Sequence, residues 1–207
     1  MSQDLFENAL AEVRSFYEAS DELSGFCQFP NEAQLEWCER DPHYINPATL
    51  FAEDASLQSE QFSSVRDALI AVKDVAFWRE TYKQTDIGEE FLNRFGCYEL
   101  FGWDGHFKCQ ETRGFIVYST ADLYYPWHHH PAEEMYFILA GEAEFATEGN
   151  APKMLRPGDT VFHAENQPHN MQTREKGVLA WVQWRGEMSV APVLTDWLNG
   201  PVTKHET

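Results

Sequence analysis

The chain has 207 residues, 43% of them hydrophobic and fifteen of them Phe, enough for one large domain or a domain with a sizeable extension. Its 34 acidic against 15 basic residues give a formal charge of −19, a surface that repels nucleic acid and anionic membranes, so neither is an expected partner.

The N-terminal run MSQDLFENALAEVRSF has neither a basic leader region nor an apolar core, and no apolar stretch reaches the length of a membrane span. Cys27, Cys38, Cys97 and Cys109 show no C-x-x-C spacing, so they read as reduced thiols, and the cytoplasm is the expected compartment. Leu5, Phe6, Ala9, Leu10, Val13, Phe16 and Tyr17 form a stripe at helical spacing, which serves either as a packing face or as a dimer surface. Asn31 is placed to cap a short helix through Arg40. A longer helix is expected over Ser63–Tyr82, from Val65, Leu69, Val72, Val75, Ala76 and Trp78. Pro42, Pro47 and the Gly88 region break these segments.

Near residue 110 the texture changes to short β-rich runs between turn signals: GFIVYST (114–120), EMYFILAG (134–141), EAEFATEG (142–149), DTVFHA (159–164) and GVLAWVQW (177–184). Regularly spaced strands of this kind imply a sandwich or small barrel. The expected architecture is α+β and mainly β: a helical region over residues 1–110 packed on a β-barrel over 111–207, with APVLTDWLNG as a final short helix.

Four residues carry the chemistry. His128 and His130 stand at i and i+2 in a β-prone run, so they share a strand face, and Glu134 keeps that parity. His169 comes from a separate strand and would close the set around one divalent metal: zinc, iron, manganese, nickel or cobalt. His129 has the opposite parity and faces away; His163 reads as a packing residue. Since the acidic surface does not attract anions, a substrate carboxylate would need the metal's charge locally. Tyr136 is aimed at the same cavity as Glu134, where a cation would stabilise its phenolate and make it a general base. Tyr125 stands at the entry to the motif. Trp181 and Trp184 have opposite parity, so one of them faces the barrel interior. An aromatic-walled pocket with a metal suits a substrate with a carboxylate at one end and an onium cation at the other.

The pattern His-x-His-x3-Glu-x6-Gly, followed by Pro157-Gly158-Asp159 and His169, matches the two cupin motifs. The longer run YYPWHHHPAEEMYFILAGEAEF resembles the signature of the cupin-type bacterial dimethylsulfoniopropionate (DMSP) lyases. The resemblance implies a double-stranded β-helix and a carbon–sulfur lyase that cleaves DMSP to dimethyl sulfide and acrylate. It also implies His130, Glu134 and His169 as metal ligands and His128 as a ligand or a close neighbour of the site. Tyr136 would be the catalytic tyrosine, and Tyr125 and Trp184 would line the substrate pocket. The rival readings are an iron-dependent cupin dioxygenase or isomerase acting on a small acid, and a non-catalytic cupin that binds a small ligand.

Overall fold

In the computed structural model, which describes residues 2–195, helices dominate the chain up to residue 92 and strands the remainder. The helices are α1 (Ser2–Glu18), α2 (Asp21–Phe26), α3 (Asn46–Glu53), α4 (Ser63–Ala71), α5 (Gln84–Ile87) and α6 (Glu89–Leu92). The strands begin with β1 (Glu36–Trp37), β2 (Trp78–Arg79), β3 (Phe95–Gly102), β4 (Phe107–Lys108), β5 (Arg113–Ser119) and β6 (Tyr124–His129). They continue with β7 (Ala132–Gly141), β8 (Ala143–Thr147), β9 (Lys153–Leu155) and β10 (Thr160–His163), then β11 (His169–Gln172), β12 (Val178–Gly186) and β13 (Val193–Leu194). One sheet runs β1-β4-β3-β5-β12-β7-β10, with β2 added to β3; the other runs β13-β6-β11-β8-β9. Their inner faces share one core around the candidate site, the double-stranded β-helix expected from the sequence.

The larger sheet is buried on both faces. On β7, Phe137 and Leu139 pack outward beneath the helices, while Tyr136 and Ile138 point into the barrel. On β12, Leu179 and Trp181 go outward and Ala180, Val182 and Trp184 inward. The α1 stripe is therefore an internal face. Tyr17 meets Trp181 edge-on at 6.4 Å and Phe16 lies 5.2 Å from Phe137, while Leu5 stays exposed. Trp181 fits because Gly114 on β5 has no side chain: a Cβ there would sit 2.4 Å from the indole. Gly141, at φ +72°, ends β7 where a Cβ would lie 1.8 Å from the Gly177 carbonyl oxygen.

Four sequence expectations change. The segment after Asn31 is a single 3-10 turn, Glu32–Gln34, closed by a capping box with Gln34, and the chain then extends into β1. The helix beginning at Ser63 ends at Ala71, not Tyr82, because Trp78 is drawn into the core beside Tyr98 and its indole donates to the Lys73 carbonyl, folding the chain back into β2. Strands also start upstream of residue 110: β3 is buried at every position, so its sequence FGCYELFG lacks the alternation of a half-exposed strand. Val193–Leu194 is a strand and the rest of the expected C-terminal helix lies mainly outside the described residues.

Candidate metal centre and substrate cavity

Glu134 lies on β7, the penultimate strand of the larger sheet, opposite His163 of the edge strand β10 on one side and Trp184 of β12 on the other. Both neighbours donate to its carboxylate: His163 Nδ1 to Oε2 at 2.7 Å and Trp184 Nε1 to Oε1 at 2.7 Å. The smaller sheet faces it with His128 on β6 paired to His169 on β11. His130 follows β6 in the connection that crosses to β7 in the other sheet, so His130 and Glu134 do not share a strand. Continuous strand parity does not bring them together; the His130-Pro131 turn and the closure of the barrel do. Ligand atoms of His130, Glu134 and His169 all lie within 4.8 Å of one another, and each residue is buried. The His128 ring is 4.1 Å from that of His169, lining the same cavity.

The ring orientations define the donor chemistry. His128 Nδ1 faces the Pro126 carbonyl at 2.8 Å, His130 Nδ1 the Ala132 carbonyl at 3.0 Å, and His169 Nδ1 the Gln167 carbonyl at 2.8 Å. A carbonyl only accepts, so each Nδ1 carries the proton and each Nε2 is left as a lone pair. Burial, then the proximity of His169, holds His128 neutral by pushing its pKa well below the usual imidazole value. His169 Nε2 is buried without a hydrogen-bond partner, 3.2 Å from Glu134 Oε2, and His130 Nε2 is 3.4 Å from Oε1. With neutral rings, lone pairs face a carboxylate at both contacts, which is repulsive unless a positive charge, a proton on the ring or a bound cation, lies between them. Burial opposes charge on Glu134, yet the imidazoles of His130, His163 and His169 hold its carboxyl well below the usual range. Two neutral imidazoles, a carboxylate, and a third imidazole alongside fit a divalent transition ion.

Tyr136 is buried with its ring 5.7 Å from His163, lining the cavity with the histidines. Burial, and after it the Glu134 charge, pushes its phenol well above the ordinary value, so in this chain alone it is protonated. Tyr125 stacks on His128 at 3.9 Å and exchanges a hydrogen bond of 2.8 Å with the Tyr82 hydroxyl. Trp184 tilts against His130 at 4.4 Å, while Trp181 lies on the opposite, helix-covered face of the sheet. His129 is turned to Thr195, at 2.7 Å from its Oγ1. The sequence reading missed two residues. His163 is no mere packing residue, since it fixes Glu134 and stacks on His169 at 3.8 Å; its partner strand β7 is separated from β10 by β8 and β9, so no local signal places it opposite Glu134. Tyr82 arrives from a loop after β2, and nothing in its local sequence marks it.

Comparison with known proteins is concordant across the chain. The family profile for dimethylsulfoniopropionate lyase matches residues 34–180. The dimethylsulfoniopropionate lyase DddQ of Ruegeria pomeroyi DSS-3 is 44% identical over 190 residues, covering 92% of this chain and 94% of that protein. The crystal structure of DMSP lyase DddQ from the same strain superposes with a TM-score of 0.89 at 43% identity, covering 95% of this chain and 98% of that one. A chain from the crystal structures of the DMSP lyases RdDddP and RnDddQII gives a TM-score of 0.90 at 34% identity, covering 94% of this chain and all of the other.

Proposed function

The chain belongs to the dimethylsulfoniopropionate lyase family, and on that premise we propose that it cleaves DMSP to dimethyl sulfide and acrylate by a metal-dependent β-elimination with Tyr136 as general base. One observation carries this reading: a buried donor set suited to a divalent ion and the Tyr136 phenol line one cavity. His130, Glu134 and His169 would hold the ion, with His128 as the adjacent imidazole. When bound, it supplies Lewis acidity to the substrate carboxylate and a positive field that favours the Tyr136 phenolate.

The chain's own residues do the rest. His163 and Trp184 hold the Glu134 carboxylate from two sides, so its oxygens keep their direction through turnover. Tyr125 and Trp184 wall the cavity and present π faces. Tyr136 Oη takes the proton from the carbon next to the carboxylate. The C–H electron pair becomes the new C=C bond, and the Cβ–S bond breaks with its pair leaving on sulfur as neutral dimethyl sulfide. No redox equivalent or water is consumed. Four unpaired cysteines support a reducing, cytoplasmic setting.

Headspace detection of dimethyl sulfide from purified protein and DMSP, with and without chelator and in air or under nitrogen, tests the reading. Dimethyl sulfide should form at equal rates in air and nitrogen, and chelation should abolish it. Oxygen consumption coupled to turnover, or release unaffected by chelation, refutes the proposal.

A further inference from the structure

The cavity wall also carries a guanidinium that makes no hydrogen bond among the described residues. Arg79, on the short strand β2, lines the same cavity as Tyr125, His130, Glu134 and Tyr136. Its neighbour in charge is Glu99, a fully buried carboxylate that Arg113 already takes with both oxygens: Nε to Oε1 at 2.9 Å and Nη2 to Oε2 at 2.8 Å. Arg79 Nη1 stands 3.7 Å from Glu99 Oε2, too far for a hydrogen bond. Its contacts are that distant charge and the face of Phe115, 5.4 Å from the ring centroid. Arg113 is thus held by Glu99 and, at 3.5 Å, by Asp104, while Arg79 keeps only its longer contact with Glu99 and borders the cavity. A planar fork of N–H donors beside a cavity matches a carboxylate in geometry as well as in sign.

The aromatic faces divide accordingly. Those of Phe115 and Trp184 already meet the Arg113 guanidinium, at 5.1 and 5.9 Å. Tyr125 and Phe95 are stacked on His128 and Phe91, so the Tyr136 ring is the cavity-lining aromatic left for an onium group, which Arg79 repels from its own side. Resting on the lyase reading, we propose that Arg79 is a specificity-determining residue that binds the substrate carboxylate and so fixes the direction in which a zwitterionic sulfonium acid enters. A carboxylate has lone pairs enough for both an ion and this fork. The product acrylate keeps its carboxylate, so Arg79 also sets product affinity.

The test compares metal-loaded parent with Arg79→Gln and Arg79→Lys. Arg79→Gln should raise KM for DMSP about 10- to 100-fold, as expected for a lost hydrogen-bonded charge pair, and leave kcat within about threefold. The inhibition constant of acrylate should rise in parallel, Arg79→Lys should recover part of both, and metal content and Tm should stay at parent values. Calorimetric titration with propionate gives a readout without turnover: the parent should bind it and Arg79→Gln should bind it at least tenfold more weakly. Equal propionate affinity in parent and Arg79→Gln overturns the proposal, as does a joint fall of kcat, Tm and metal content, which marks a structural role. If the parent releases no dimethyl sulfide, the lyase reading fails, and the propionate titrations still decide the anion site.

Discussion

The two faces of the larger sheet are built from alternate residues of the same strands and obey different rules. The outer face, roofed by α1 and α4, is mainly apolar and tolerates a few buried polar atoms without a partner, among them Trp181 Nε1 and His106 Nδ1. The inner face carries Glu134 and His163, which with His169 and His128 of the facing sheet, each buried, form a group whose lone pairs oppose one another. Packing explains the first face completely. It does not explain the second, since burying a carboxylate and several imidazoles costs free energy that apolar side chains of the same volume would not. Stability is concentrated outside the barrel and chemistry inside it, one residue apart along each strand.

That division is most sharply tested at Tyr136. Replacing it by Phe should lower kcat roughly 10²- to 10⁴-fold, the range for a lost general base, with Tm and metal content unchanged. Near-parent turnover of Tyr136→Phe would remove the base from the mechanism. The two tryptophans of β12 provide the paired contrast. Trp181→Ala on the outer face should cost about 3–5 kcal/mol of unfolding free energy and leave activity per folded molecule intact. Trp184→Phe on the inner face should change stability far less, but lose about 10- to 100-fold in metal affinity or activity because Glu134 Oε1 loses its donor. Denaturant unfolding and metal titration of the two variants separate these outcomes; matched losses in both would mean that the faces are not independent.

The sequence exposed the inner face better than the outer one. His128, His130, Glu134, Tyr136 and His169 stand out because polar residues in strand-like runs have few structural uses, and the structure brings them to one cavity. Strands β5, β7, β8, β10 and β12 were equally readable from their turn signals. What escaped depends on distant partners. β3 is sandwiched between helices and barrel, so both parities are apolar and periodicity fails. The helix from Ser63 stops early because Trp78 finds its place against Tyr98, far along the chain. His163, Tyr82 and Arg79 matter through the residues opposite them, and a one-dimensional pattern carries no record of that.

The smallest expected effect concerns a histidine of the outer core. His106 stacks on Phe6 at 3.8 Å and accepts the Phe77 main-chain N–H on Nε2 at 3.0 Å, a role open only to the neutral ring. Burial, then the charges of Arg40 and Lys108, lowers its pKa to about 4 from the ordinary 6.5. Between those values the unfolded chain binds a proton that the folded one does not, so stability rises with pH across this window. The contribution is present in full above about pH 6.5 and is lost as pH falls towards 4, at no more than about 1.4 kcal/mol per pH unit. His128 and His163 are shifted in the same direction, His163 also to about 4, but a bound ion competes with protons in the barrel interior. His106→Gln keeps an acceptor for Phe77 and removes the titration. Its unfolding free energy should therefore depend less steeply on pH from 6.5 to 4 than that of the parent, whether the metal is loaded or chelated. A parent-like slope in both states would show that His106 is not among the groups that acid disrupts, and would assign the whole sensitivity to the barrel interior.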